Sequence, residues 1–458
     1  MKNVVNIPST NSVPDSYETV NYKFVWNGIK QTLYTDALST EIVQSKFASI
    51  ISSVANVSDR NSTDINVHVN DFVKIVDDVA TPLFRKDIKQ PIDNKYMHFT
   101  KNDWYNDNCK DKKRVFNHAL NDFRENCSNE NRHKLVNARS EYKSTLRTCK
   151  YEYDTQQSKK LEQLRHKNAT TYWDMLKQVC GVKTNTINLS TFEHYFESIN
   201  SPSDPFFIPN EDILYFNERF AKNEFQVMFS ELDSEISKED ILNAIKHLKS
   251  GKSSGPDHML NEFFIYGKNE MINCVYAIFN KVLNLGIFPD SWSEGFIVPL
   301  HKKGSINNPN NYRGITLLST LGKLFTHIIS NRLDNWAEHY FVYIEAQAGF
   351  RKKMGTVDNI FVLHGLISHM INNNKKLYCS FIDFSKAFDY IVRPNLWQKL
   401  IRLGVRGKLL NVIRSMYDCI KSRVKVSNTL SNEFSCMLGV RQGKCLSPLY
   451  FFHCTYMI

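Results

Sequence analysis

Phe381-Ile382-Asp383-Phe384-Ser385-Lys386-Ala387-Phe388-Asp389 is the stretch on which the fold turns. The run Tyr378-Cys379-Ser380-Phe381-Ile382 predicts a strand, with Asp383 at its end and a helix-compatible segment directly after. A carboxylate held on a rigid element suits a hard cation such as Mg2+, which takes anionic oxygen ligands. The same placement also suits a helix N-cap. The stretch alone leaves both readings open.

Four blocks flank it in a fixed order. Upstream stand Pro299-Leu300-His301-Lys302-Lys303-Gly304, then Asn311-Tyr312-Arg313-Gly314-Ile315-Thr316-Leu317-Leu318-Ser319, then Gln347-Ala348-Gly349-Phe350-Arg351. Downstream stands Gly439-Val440-Arg441-Gln442-Gly443-Lys444-Cys445-Leu446-Ser447-Pro448-Leu449. Each combines glycine with cationic or amide side chains, a mixture that lets backbone approach phosphates and a base pair closely. Between them, Phe296–Leu300 and Arg423–Val426 read as strands, while Leu321–Trp336 and Leu396–Tyr417 read as helices. Mixed elements of this kind predict an α+β domain over residues 182–458.

Outward from there the texture changes. Residues 96–181 carry Val115, Phe116, Ala119, Leu120 and Phe123, then Leu135, Ala138, Tyr142 and Leu146, at helical spacing with lysine and arginine crowded between. This predicts a basic helical region, either a solvated face or a phosphate-contacting one. Residues 1–95 are polar and rich in serine and asparagine, and read as a linker or tail. The 458-residue chain has a formal charge of +11, which makes polyanions the first partners to consider. Its ten cysteines form no CxxC pair, and Cys445, His453 and Cys454 lack the spacing of a zinc knuckle. Neither a secretory leader nor an apolar run of about 20 residues is present, which argues against secretion and membrane insertion.

With the blocks in this order, residues 242–449 resemble the reverse transcriptases of non-LTR (LINE-type) retrotransposons. The resemblance implies a right-hand polymerase, here its fingers and an incomplete palm, preceded by a basic helical connector at 96–181 and by the tail of an upstream endonuclease. It implies RNA-directed DNA polymerase activity by two-metal nucleotidyl transfer. Mg2+ or Mn2+ would be the cofactor; an RNA template, a DNA primer and deoxynucleoside triphosphates would be the partners, with no membrane and no obligate protein partner, in the nucleus or cytoplasm. Asp383 would be a catalytic, metal-ligating carboxylate, with the Phe384 carbonyl as a second ligand. Lys302, Lys303 and Arg313 would hold the triphosphate, and Phe388 would screen the sugar against a 2′-hydroxyl. Gln442 and Gly443 would lie against the template–nucleotide pair, and Gln347, Gly349 and Arg351 along the template path.

The pattern breaks after Leu449. The family supplies its remaining metal carboxylates from an aromatic-Ala-Asp-Asp hairpin beyond Gln442, and no such pair follows Asp383 before Ile458. The expectation is a truncated polymerase, inactive by itself, with an exposed sheet edge and poor solubility. Reading the codons of Tyr450–Ile458 two bases later permits Leu-Leu-Phe-Ser-Leu-Tyr-Ile, so a frameshift near Leu449 is one account. The alternative function is that of a non-catalytic RNA-binding remnant.

Overall fold

Sparse apolar residues among serines and asparagines build the first part of the core. Tyr34 and Leu38, then Phe47, Ile50 and Val54, then Ile65, Val69, Phe72 and Val76 recur at helical intervals. In the computed structural model all of them are buried. It describes residues 17–57, 62–88, 104–167, 172, 187–201, 218, 228–343, 345–384 and 386–441. The three groups lie on α1 (Gln31–Ser39), α2 (Glu41–Asn56) and α3 (Ser62–Phe84). Two short strands, β2 (Tyr22–Phe24) and β3 (Arg85–Asp87), pair antiparallel at the ends of this segment; β1 (Glu18–Thr19) precedes them.

The chain divides into two units, residues 1–89 with 186–458, and residues 90–185. The second unit is a helical hairpin of α4 (Asp107–Glu125) and α5 (Asn129–Lys167). Asn106 starts it by accepting from the Cys109 N–H at 3.2 Å. Phe116 stacks on Tyr142 with centroids 6.0 Å apart, and Lys112 meets Glu141 at 2.7 Å.

Among the described residues the remaining helices of the first unit are α6 (Leu189–Asn200), α7 (Lys238–Lys246), α8 (Asn261–Leu285), the single turn α9 (Asp290–Ser293), α10 (Thr320–His339), α11 (Thr356–Asn372), α12 (Arg393–Arg402) and α13 (Gly407–Ser415). The strands are β4 (Glu294–His301), β5 (Tyr312–Leu318), β6 (Lys421–Val426), β7 (Thr429–Leu430) and β8 (Phe434–Ser435). They form a mixed sheet in the order β1-β7-β6-β4-β5, with β8 also on β6. Only the β4–β6 pair is parallel among the described residues. Helix α8 is the core's axis, and Trp26 joins it to the N-terminal segment by stacking on Tyr266 at 4.9 Å and on Phe84 at 4.5 Å. Tyr34 faces Phe263 of the same helix at 5.5 Å. Gly267 permits the approach, since a Cβ there would meet the Leu38 Cδ1 at 2.6 Å.

The structure departs from three sequence-based expectations. Residues 17–57 and 62–88 are a folded part of the core instead of a linker, because each helix buries one apolar stripe against α8 or its neighbours. The run Tyr378–Ile382 is not a strand, and Phe381 and Ile382 are 84% and 81% exposed. A strand needs a neighbouring ladder, and among the described residues none lies alongside. The helix expected over 396–417 is split at Gly404 (φ +94°) and Gly407 (φ +74°). Asp233 fills the break, accepting from the backbone N–H groups of Lys408 and Leu409 at 3.0 and 2.8 Å. Helix α11 buries none of its residues, and Phe361 is 77% exposed. No helix among the described residues is long and apolar enough to cross a membrane.

If the N-terminal helices are core, Tyr34→Ala should lower stability by about 3–5 kcal/mol, the usual cost of truncating a buried aromatic. Urea unfolding followed by circular dichroism measures this, and an unchanged midpoint would mean the segment is an appendage.

Candidate functional site

The site begins with the β4–β5 hairpin. β4 and β5 pair Leu300 with Arg313 and His301 with Tyr312. The Lys302 N–H donates to the Asn311 carbonyl at 2.8 Å, and the Tyr312 hydroxyl to the Ile306 carbonyl at 2.8 Å. These bonds fix Lys302 and Arg313 at one end of the hairpin. Gly314 beside them lets α6 close on the strand, because a Cβ there would meet the Phe196 ring at 2.8 Å. Tyr195 and Phe196 thereby form a wall.

The opposite wall is made by two crossing segments. The Val440 N–H donates to the Phe388 carbonyl at 2.8 Å, and the Gly439 N–H to the Ile391 carbonyl at 3.0 Å. Gly439 has φ +73°, and a Cβ there would lie 2.6 and 2.7 Å from the Asp389 and Phe388 carbonyl oxygens. The backbone requires glycine at that crossing. Arg393, at the first position of α12, anchors the downstream segment. Its buried guanidinium donates to the carbonyls of Gly439 (3.0 Å), Tyr417 (3.0 Å), Cys436 (2.8 Å) and Leu438 (3.0 Å). Arg441 is buried as well, donating to the Lys421 carbonyl at 2.7 Å. Burial pulls its pKa down to about 10, which leaves it charged at neutral pH.

Between these walls is a cavity of about 380 Å³. Lys302, Arg313, Asp383, Phe384 and Phe388, drawn from three separate sequence blocks, all line it. Five cationic residues (Lys302, Arg313, Lys386, Arg393 and Arg441) and two carboxylates (Asp383 and Asp389) are among its lining. That surplus of positive charge in a concave site suits a multiply charged anion. Tyr195, Phe196, Lys386, Asp389, Arg393 and Arg441 are among the lining residues to which the sequence assigned no role. Lys386 lies 5.3 Å from the Tyr195 ring centroid, in a left-handed conformation (φ +52°). Burial, and then Asp389, push the Tyr195 hydroxyl pKa up. The signal that could have marked Arg393 is visible only once α12 is seen to start there: a cation in the first turn of a helix opposes the dipole and needs carbonyls from elsewhere.

Lys303, Gln347, Gly349 and Arg351 do not line this cavity. Lys303 is exposed and outside the cavity lining. The Arg351 guanidinium clamps Glu338, with its Nε at 3.0 Å and its Nη2 at 2.7 Å from the two carboxylate oxygens. It also donates to the Gln347 carbonyl at 3.3 Å. The Gln347 side chain is buried, so this block, with Gly349 inside it, is knitted together internally. Gln442, Gly443, Cys445, His453 and Cys454 fall outside the described residues. Among the described residues no group of three or more histidine, cysteine, aspartate or glutamate side chains could hold a metal ion. Asp383 and Asp389 alone fall short of the carboxylates that two adjacent divalent cations require. The described donor set does not fit a two-metal centre.

Residues 300–458 match the model of the reverse transcriptase (RNA-dependent DNA polymerase) family. The chain is 32% identical over 220 residues to the probable RNA-directed DNA polymerase from transposon BS of Drosophila melanogaster, covering 47% of this chain and 24% of that protein. It is 26% identical over 262 residues to the RNA-directed DNA polymerase from mobile element jockey of the same species, covering 57% and 28%. It is 27% identical over 209 residues to the Pol polyprotein from the type-1 retrotransposable element R2 of Nasonia vitripennis, covering 45% and 20%. The chain thus spans about a quarter of the length of the curated relatives it matches.

Two tests follow from the geometry. Gly439→Ala should destabilise the chain by about 1–3 kcal/mol, since it adds backbone strain and a clash at the crossing; a wild-type melting temperature would contradict the crossing described. The Arg351 hydrogen bond holds the Glu338 carboxyl below its ordinary value of 4.5. The stability from this pair is therefore full above pH 4.5 and is lost as pH falls below it through the lowered folded-state value. Arg351→Gln should flatten that acid limb in a stability–pH curve, and an identical limb in the variant would count against the clamp.

Proposed function

We propose, for a chain that carries a reverse transcriptase domain of the non-LTR retrotransposon kind, that its cavity receives the deoxynucleoside triphosphate in RNA-directed DNA synthesis. The observation that carries this is the convergence of Lys302, Arg313, Asp383, Phe384 and Phe388 on one cationic cavity. In this reading the β4–β5 hairpin belongs to the fingers, and Lys302 and Arg313 bind the phosphates. The planar guanidinium suits bidentate contact with them. Lys303 adds charge at the mouth. Asp383 and the Phe384 carbonyl belong to the palm and face the reacting centre, where Mg2+ or Mn2+ is the family's usual cofactor. Phe388 faces the sugar and excludes a 2′-hydroxyl. Gln442 and Gly443 adjoin the template–nucleotide pair. Gln347, Gly349 and Arg351 shape the template path through the backbone that the Glu338 clamp holds. A primer 3′-hydroxyl loses its proton as its oxygen bonds to the α-phosphorus; the α–β bridging bond breaks and pyrophosphate leaves. The template is RNA, the primer DNA, and the setting nuclear or cytoplasmic.

A second reading, retention of RNA by a chain that does not polymerise, is favoured by the two-carboxylate cavity. Calorimetric titration with a deoxynucleoside triphosphate separates the two. Arg313→Ala should weaken binding about tenfold or more, the worth of a charge-assisted contact, and Phe388→Ala should raise ribonucleotide affinity towards the deoxy level. RNA binding without triphosphate binding would support the second reading. Triphosphate binding insensitive to both substitutions would overturn the first.

A further inference from the structure

Helix α5 sorts its charges by face. At about 100° per residue, Arg132, Arg139, Lys143, Arg147 and Lys150 fall within about 80° of its circumference and along about 27 Å of its axis. All five are exposed, and among the described residues none of them forms an ion pair. Glu130, Glu141 and Glu152 occupy the far side, while Asp154, exposed and on the stripe's own azimuth, stands one turn beyond Lys150 and bounds the stripe there. Glu130 is engaged by Lys134 at 2.8 Å, and Glu141 by Lys112 of α4 at 2.7 Å. The apolar face that carries Ala138, Tyr142 and Cys149 is turned to α4. Between residues 132 and 150 the hairpin therefore presents one straight cationic edge with no carboxylate on it.

A face kept only for solubility interleaves both signs, whereas this one segregates them. A bilayer surface would need a broad exposed apolar strip beside the cations. The apolar strip of α5 is already covered by α4, leaving Val136 and Tyr151 as isolated exposed side chains. Single strands are gripped by aromatic platforms alternating with cations, and none alternates here. We propose that this stripe binds the sugar–phosphate backbone of a double-helical nucleic acid, through residues that the nucleotide cavity does not share.

Fluorescence anisotropy of the full chain with short labelled duplexes of RNA and of DNA, and with a single strand of equal length, tests this. The variant Arg139→Gln/Lys143→Gln/Arg147→Gln keeps good helix formers on an exposed face, and a circular dichroism melt checks its fold. Duplex affinity should fall about tenfold or more, and the slope of log K against log salt should shrink by roughly 3, close to one per lost phosphate contact. Lys110→Gln/Lys112→Gln/Arg114→Gln removes the same charge from α4 and should leave the slope nearly unchanged. Lys143→Glu alone should act in the same direction as the stripe variant. Equal loss in both triple variants would overturn the proposal, as would loss in neither. A loss confined to the single strand would also overturn it. Within a positive result, equal binding of the two duplexes assigns the site to phosphate alone, and tighter RNA binding assigns it to the RNA duplex. Titration with a deoxynucleoside triphosphate, expected to be unchanged, keeps this result distinct from the cavity.

Discussion

One guanidinium gathers the cavity's downstream wall. Arg393 donates to the carbonyls of Tyr417, Cys436, Leu438 and Gly439, which come from the end of the α13 region and from the segment after β7. No neutral side chain offers enough donors in a fixed fork to satisfy four converging carbonyls. Burial lowers the pKa of Arg393, and the carbonyl dipoles compensate the charge that burial penalises. With those carbonyls fixed, Gly439 and Val440 meet the backbone of Phe388 and Ile391, and the Phe388 ring is presented to the cavity. The constraint is local in space and scattered in sequence.

That scatter explains what could be read from the residues alone. β4, β6 and α10 were legible because each is an apolar run with its own period, whereas β5 was read only as one of the glycine–cation blocks, three of which mark the cavity. Phe381–Ile382 looked like a strand because apolar alternation reports a preference, whereas a strand exists only beside a partner. The break between α12 and α13 depends on Asp233, a capping residue brought in from a distant part of the chain. The N-terminal helices were hidden because their buried residues are few per turn and the serines and asparagines between them dominate the composition. Arg351 carried a plausible template-facing chemistry; what the sequence could not show was Glu338 waiting one helix away.

The chain uses its positive charge in two physical regimes. In the cavity, Arg393 and Arg441 are desolvated and held by carbonyls, so added salt screens them weakly. Along α5 the cations stand in water, where their hold on a polyanion depends on counterion release and weakens steeply with salt. A net charge of +11 does not distinguish these regimes; burial does.

The sheet also sets a timetable. β1 pairs with β7, and Glu18 meets Arg423 across a separation of 405 residues. At a synthesis rate of 5–20 residues per second, the first strand waits on the order of 20–80 s before its partner has been made. The parallel partner of β4 arrives late as well, whereas α1–α3 can close on α8 much sooner through Trp26, Tyr34 and Phe263. A chain synthesised as far as α8 and β4 can thus close its helical core while the β4 edge stays unpaired until β6 has been made. In that interval folding competes with mispairing, and the ribosome's pace and chaperone cover bear on the yield of native sheet.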